Sequence, residues 1–440
     1  MKKYLVIIAT IFFGFAVNAQ ESNMRLSLQE AIDFAIENSY NTRVAKKDIE
    51  SAKQQKWETT TIGLPQIEGQ VDYVNNLKRQ FPGVDFDQDG LVDFNAKQSI
   101  NAGVTLRQLL FDGSYLVGLQ SARTFLKISE QAKEKTELVT REAVINAYGN
   151  VLITEKSIEI LQSNKKVLEK NLDDAKKIFE NGLNEEEDVE QLEITLGNIK
   201  SQLNSVLRLK GIAYQMLNIT LGNDITTQLT LTDSLDSLTE SNISFGLITQ
   251  DFNLNNHIDY KIAQNDRESK RLLMLYEKSQ SLPKLSAFVN YNFIANSESF
   301  SFFQNQQQWI GTSALGVSLN IPLFSSLRRS ARTQKTKIDL DVADIRLIET
   351  QQKLNLQVET TKSDYQLSIE NYQTAKKNLG LAERIEKKQQ IKFFEGLSSS
   401  FDLAQAQNQL YSQQQTFIQS MLDVVARKAA LENALNISLK

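Results

Sequence analysis

Ile67-Glu68-Gly69-Gln70-Val71-Asp72-Tyr73 alternates apolar or small residues with polar ones, and beyond a long polar loop Ser99-Ile100-Asn101-Ala102-Gly103-Val104-Thr105-Leu106 does so again. A period of two marks strands with one apolar and one wet face. The same plan recurs later. Leu285, Ala287, Val289, Tyr291 and Phe293 alternate with Ser286, Asn290 and Asn292, and then Leu315, Val317, Leu319 and Ile321 with Gly316, Ser318 and Asn320. Phe288 alone breaks the alternation.

Subtraction registers the two copies. Pro65 matches Pro283 and Tyr73 matches Tyr291 at one shift (283 − 65 = 291 − 73 = 218). Gly103, Leu106 and Phe111 then match Gly316, Leu319 and Phe324 at 213, Gly182-Leu183 matches Gly396-Leu397 at 214, and Leu217-Asn218-Ile219 matches Leu435-Asn436-Ile437 at 218. The chain is a duplicated unit. Its expected divisions are 20–220 for the first repeat, 221–242 for a Thr-, Ser- and Asp-rich strand-and-turn connector, and 243–440 for the second.

Around the hairpins the pattern is helical. Ser27 stands as an N-cap with Glu30 at the third helical position, opening a helix expected from Leu26 to Thr59 and stopped by Gly63-Leu64-Pro65. From Asp112 to Phe179 no proline occurs and apolar residues such as Val151, Ile158, Leu161, Leu168 and Ala175 recur at steps of three, four and seven. Such a segment extends roughly 100 Å, several times the membrane core. A turn at Asn181-Gly182-Leu183 and a returning stripe through Leu192, Leu196, Ile199 and Leu203 make an antiparallel helical hairpin. The second repeat matches it, descending through Val358, Tyr365 and Ala375 to Gly396 and returning through Leu403, Leu410 and Met421.

Met1 to Ala19 reads as a signal peptide: two lysines, an apolar run shorter than a membrane span, and Val17-Asn18-Ala19 before the cut. An exported chain without later apolar helices enters a membrane only as a closed β-barrel, since lipid offers no partner to free backbone groups. Four strands cannot close one, because single-chain barrels start at eight, so copies must combine. The alternation does not choose the number of copies.

Other classes are disfavoured. With 49 Lys and Arg against 53 Asp and Glu, the net charge is −4, and no long basic tract suggests a nucleic-acid partner. Cysteine is absent, and no phosphate loop, zinc spacing or catalytic pair stands out, so neither an enzyme nor a cofactor is expected. His257, the only histidine, is expected in a capping or surface role at a helix start near Asp259. Asp85-Phe86-Asp87-Gln88-Asp89-Gly90 has the spacing of a calcium loop, but Ala96 stands where the bidentate Glu belongs, which favours a solvated acidic turn over a metal site. Tyr73, Tyr291 and Trp309 are candidates for a membrane-interface aromatic girdle.

The signal peptide, the duplicated helix, hairpin and long helical hairpin, and the two tips resemble the TolC family of outer-membrane efflux and secretion channels. The residues that carry the resemblance are Leu26-Ser27-Leu28-Gln29-Glu30-Ala31-Ile32 and the tip motifs, which run from Gly182-Leu183 to Glu187-Asp188-Val189 and from Gly396-Leu397 to Phe401-Asp402-Leu403. The resemblance implies a mixed α+β membrane protein, in which each chain gives four strands to a trimeric twelve-stranded outer-membrane barrel and long helical hairpins to a periplasmic α-barrel. It also implies a passive exit duct of a tripartite pump or type I secretion system, located in the outer membrane and extending into the periplasm. The implied partners are two further copies, outer-membrane lipid, a periplasmic adaptor and an inner-membrane transporter. Gly182, Leu183, Gly396 and Leu397 are expected to dock the adaptor. Asp188 and Asp402 are expected to form charge rings at the aperture, and Asn184 with Glu187 and Ser399 with Asp402 to form capping boxes. The alternative from another class is an exported coiled-coil stalk or adhesin anchored by its strands.

Overall fold

The structure, a computed structural model, describes residues 24–78, 96–182 and 185–437. The signal-peptide reading, the Asp85 to Asp93 stretch, Leu183 and Asn184 lie outside them. In chain order the elements are β1 (Met24–Leu26), α1 (Leu28–Asn38), α2 (Tyr40–Thr61), β2 (Gln66–Asn75), β3 (Gln98–Asp112), α3 (Gly113–Glu180), α4 (Glu186–Leu221), β4 (Leu229–Leu231), α5 (Leu235–Ser241), α6 (Ile258–Ser279), β5 (Lys284–Ser297), β6 (Ile310–Asn320), α7 (Arg328–Phe394) and α8 (Ser400–Ala434). No described helix is long and apolar enough to cross a membrane.

Two compact units result, each assembled from parts of both repeats. One comprises the chain up to Ala45, Lys133–His257 and Lys353 onward; the other comprises Lys46–Ala132 and Ile258–Gln352.

The second unit holds an antiparallel sheet of order β2-β3-β5-β6. Its register puts Ile67 opposite Leu106, Leu106 opposite Val289 and Val289 opposite Leu315, so one face is apolar from edge to edge. Glu68, Thr105, Asn290 and Ala314 share the other face. Gly316 leaves room for Phe288, whose ring atoms come within 2.4 Å of where a Cβ would stand, and this pairing accounts for the one break in the alternation. The strands outrun the expected ones: β5 continues past Phe293 to Ser297, so Tyr291 sits mid-strand. The outer strands β2 and β6 are solvent-exposed throughout or nearly so, apolar residues included.

The first unit is helical, with a core joining Ile32, Tyr148, Leu217, Tyr365 and Val424. Ser27 and Glu30 form the capping box. The helix expected to run on to Thr59 is broken instead at buried Ser39, which ends α1 at ψ 149°. The Ser39 Oγ accepts from the Thr42 N–H at 3.4 Å, an N-cap contact that restarts the chain as α2. Within the connector, β4 pairs in parallel with β1 from the start of the chain. Tyr148 and Tyr365, 217 positions apart (365 − 148 = 217), each hold the connector: the Tyr148 hydroxyl lies 3.0 Å from both the Leu26 carbonyl and the Asp233 carboxylate, and that of Tyr365 donates to the Asn242 carbonyl at 2.6 Å. Burial holds both phenols protonated, raising their pKa above the ordinary value. His257 is buried against the Phe252 ring rather than at the surface, because a short 3-10 turn at Leu254–Asn256 carries it inward.

Candidate functional site: the helical tips

Each long helix ends on a glycine with positive φ, 72° at Gly182 and 70° at Gly396, a region closed to most side chains. At the second tip the termination is complete: the Gly396 N–H donates to Phe393 O at 3.0 Å and the Leu397 N–H to Lys392 O at 2.8 Å, the paired bonds of a Schellman turn. The chain then re-enters a helix at Ser399. Its hydroxyl accepts from the Asp402 N–H at 3.2 Å, while the Asp402 carboxylate accepts from the Ser399 N–H at 3.4 Å. That expected capping box is present.

The first tip differs. Its N-cap is Glu185, which makes no side-chain capping bond, and the box expected from Asn184 with Glu187 falls on Asn184, outside the described residues. Glu185 stands where the second repeat has Ser399, at the tip shift of 214 (399 − 185 = 214). A glutamate lacks the short hydroxyl that closes the ring with the third helical residue. The third helical residue of α4 is Asp188, and its carboxylate reaches across to accept from the Ser400 N–H at 3.1 Å. Asp188 and Asp402, equivalent in sequence, thus converge on the N-terminus of one helix, α8, where the free amides and the helix dipole favour negative charge. This cross-tip bond leaves no trace in the sequence, because it depends on which helices sit side by side.

Beneath the tips Leu192, Leu403 and Phe393 pack in a closed apolar cluster. Above it, Leu397 and Phe401 are left 78% and 68% exposed. Phe401 belongs to the tip motif, but the motif alone does not mark it as a contact residue. Its place at the second helical position, on the side opposite buried Leu403, is what leaves it exposed. The structure also places the candidate aromatics. Tyr73 sits edge-on to Phe300 and Phe302, Tyr291 edge-on to Phe293, and Trp309 immediately precedes β6.

Residues 254–436 match the family model described as "Outer membrane efflux protein". No curated protein matches the chain. The fold is similar to that of CusC, whose structure concerns conformational changes accompanying folding and transmembrane channel formation, with TM-score 0.75 at 16% identity over 93% of this chain and 92% of that one. It is similar to the outer membrane protein VceC from Vibrio cholerae, with TM-score 0.72 at 15% identity over 93% and 95%. It is also similar to the CmeC outer membrane channel of Campylobacter jejuni, with TM-score 0.73 at 16% identity over 93% and 85%. The chain therefore shares the fold of these outer-membrane channels, and its second repeat carries the pattern of the efflux-protein family.

Proposed function

We propose that this TolC-like chain is one of three identical copies forming an outer-membrane exit duct, which passively conducts substrates delivered by a tripartite efflux pump or a type I secretion system. The carrying observation is the sheet: one apolar face, one polar face and two long open edges. In lipid an unpaired edge costs several kcal/mol per unsatisfied backbone group. Joining β2 of one copy to β6 of the next removes every edge, turns the apolar face to lipid and encloses the polar one. Three copies supply twelve strands, within the range of known outer-membrane barrels.

The helical unit is then the periplasmic part. Gly182, Leu183, Gly396 and Leu397 form the surface offered to a periplasmic adaptor, and exposed Leu397 and Phe401 favour that assignment. Asp188 and Asp402, repeated by three-fold symmetry, line the mouth with negative charge. Tyr73, Tyr291 and Trp309 stand among the interface aromatics. The driving energy comes from the inner-membrane transporter, since the chain carries no recognisable nucleotide-binding loop.

The chain has no cysteine of its own, which makes a direct test available. Cysteine pairs are introduced, one residue on β2 and one on β6, and scanned through the possible registers. Oxidation in intact cells is expected to yield covalent species up to the three-copy form in one register. Absence of any cross-link between copies in every register contradicts closure through these edges.

A further inference from the structure

The junction between β6 and α7 breaks several local rules at once. Ser326 and Leu327 both hold positive φ, 49° and 63°, although neither is glycine. For a bulky residue this is an outlier that persists only where something else is gained. Leu323, Phe324 and Leu327 are 88%, 82% and 76% exposed. Then come Arg328, Arg329 and Arg332 in the opening turns of α7, followed by Lys335 and Lys337, with no acidic residue between Glu298 and Asp339. Cations at a helix N-terminus oppose its dipole. Among the described residues no carboxylate pairs with any of these five, and Arg329 donates to the Pro322 carbonyl at 2.9 Å.

The equivalent junction of the first repeat is built conventionally. Asp112 accepts from the Ser114 N–H at 2.7 Å, capping α3, and pairs with Lys284 at 2.9 Å. The departure therefore belongs to one repeat, not to the fold. Its position is informative too. The register places all four strand-helix junctions at one end of the sheet, and Ile321 and Leu323 continue the parity of apolar-face Leu319. A cavity of about 420 Å³ opens there between Lys278, Leu323, Phe324, Leu327 and Arg329.

We infer that this junction binds the phosphate headgroup of an anionic phospholipid at the helix-side boundary of the bilayer. Leu323, Phe324 and Leu327 enter the acyl layer, and Arg328 and Arg332 lie at phosphate depth. The inference rests on the barrel reading. A second copy fits the surface less well, because the segment leading into β2, which edge pairing would bring alongside, carries Lys53, Lys56 and Glu58 and offers no surplus negative charge.

The test uses the full-length oligomer, delipidated in a maltoside detergent. Lipid retained is read by native mass spectrometry on adding phosphatidylglycerol, phosphatidylcholine with the same acyl chains, or inorganic phosphate. The wild type is expected to prefer phosphatidylglycerol. Arg328→Gln with Arg332→Gln should lower that affinity roughly twenty-five-fold, from about five-fold per surface arginine. Leu323→Ser with Phe324→Ser should weaken both lipids alike. Equal retention of the two lipids by the wild type, an undiminished preference in the arginine variant, or competition by inorganic phosphate alone overturns the proposal. So does dissociation of the arginine variant before any lipid is added, which would mark a contact between copies. Channel conductance of the wild type, measured separately, reports on the duct reading whichever way the lipid result falls.

Discussion

Two glycines show how one conformational need carries different costs. Gly396 has φ 70° with nothing within 4 Å of where a Cβ would stand, so Gly396→Ala meets only the left-handed penalty of about 1–2 kcal/mol. At Gly222, φ 87°, an added Cβ would stand 2.3 Å from the Asn38 carbonyl oxygen, so strain and overpacking combine to roughly 2–4 kcal/mol. Thermal unfolding of the two variants is expected to rank Gly222→Ala as clearly the worse. Glu386 offers a pH test. Burial raises its carboxyl above the ordinary 4.5, and its charge adds to the burial that raises the Tyr411 hydroxyl. A raised carboxyl binds its proton more tightly in the folded state, so its contribution is complete below about pH 4.5 and is lost as pH rises through the raised value. Glu386→Gln should therefore melt higher than wild type near pH 7 and about equally near pH 4. Gly182 and Gly396 are legible in the sequence because each interrupts a helical stripe at a repeated position. Gly222 is not, since its need arises from backbone 184 residues earlier (222 − 38 = 184).

At the scale of elements, the strands are legible because alternation is local and survives in every strand of the large sheet, and the long helices because proline is missing from them. The break at Ser39 is hard to read because no proline or glycine marks it, although the stripe of Ile32, Ala35 and Ile36 does not continue in phase to Ala45. β1 is not legible either, its three residues being too few for any period to show, whereas β4 falls in the connector where a strand is expected. The tips are half legible. Ser399 and Asp402 follow a capping pattern visible in sequence, whereas the reach of Asp188 to Ser400 follows from the neighbouring of α4 and α8. The exposed tip supports a further expectation. Leu397→Asp, with Leu183→Asp in the first tip, should abolish export while leaving the oligomer folded, as judged by its melting and its size in detergent. Export at the wild-type level would remove the docking role.

For the whole molecule, the duplication explains why a sheet of four strands has two like edges: each repeat contributes one hairpin, β3 and β5 pair in the middle, and β2 and β6 are left outside. In the proposed barrel that arrangement is incomplete in one chain and completed by copies of itself, which would tie membrane insertion to assembly. The divergence between repeats, Glu185 against Ser399 at the tips and Asp112 against the basic junction of α7, would then give the proposed three-fold assembly two unlike sites per copy. The decisive measurement is single-channel conductance of the purified, cross-linked oligomer in a planar bilayer, with Asp188→Ala/Asp402→Ala beside the wild type. A small cation-favouring conductance that rises or loses its selectivity in the double variant is the predicted result. No conductance from either form, with the oligomer folded and the edges cross-linked, would contradict a duct and return the chain to an anchored stalk.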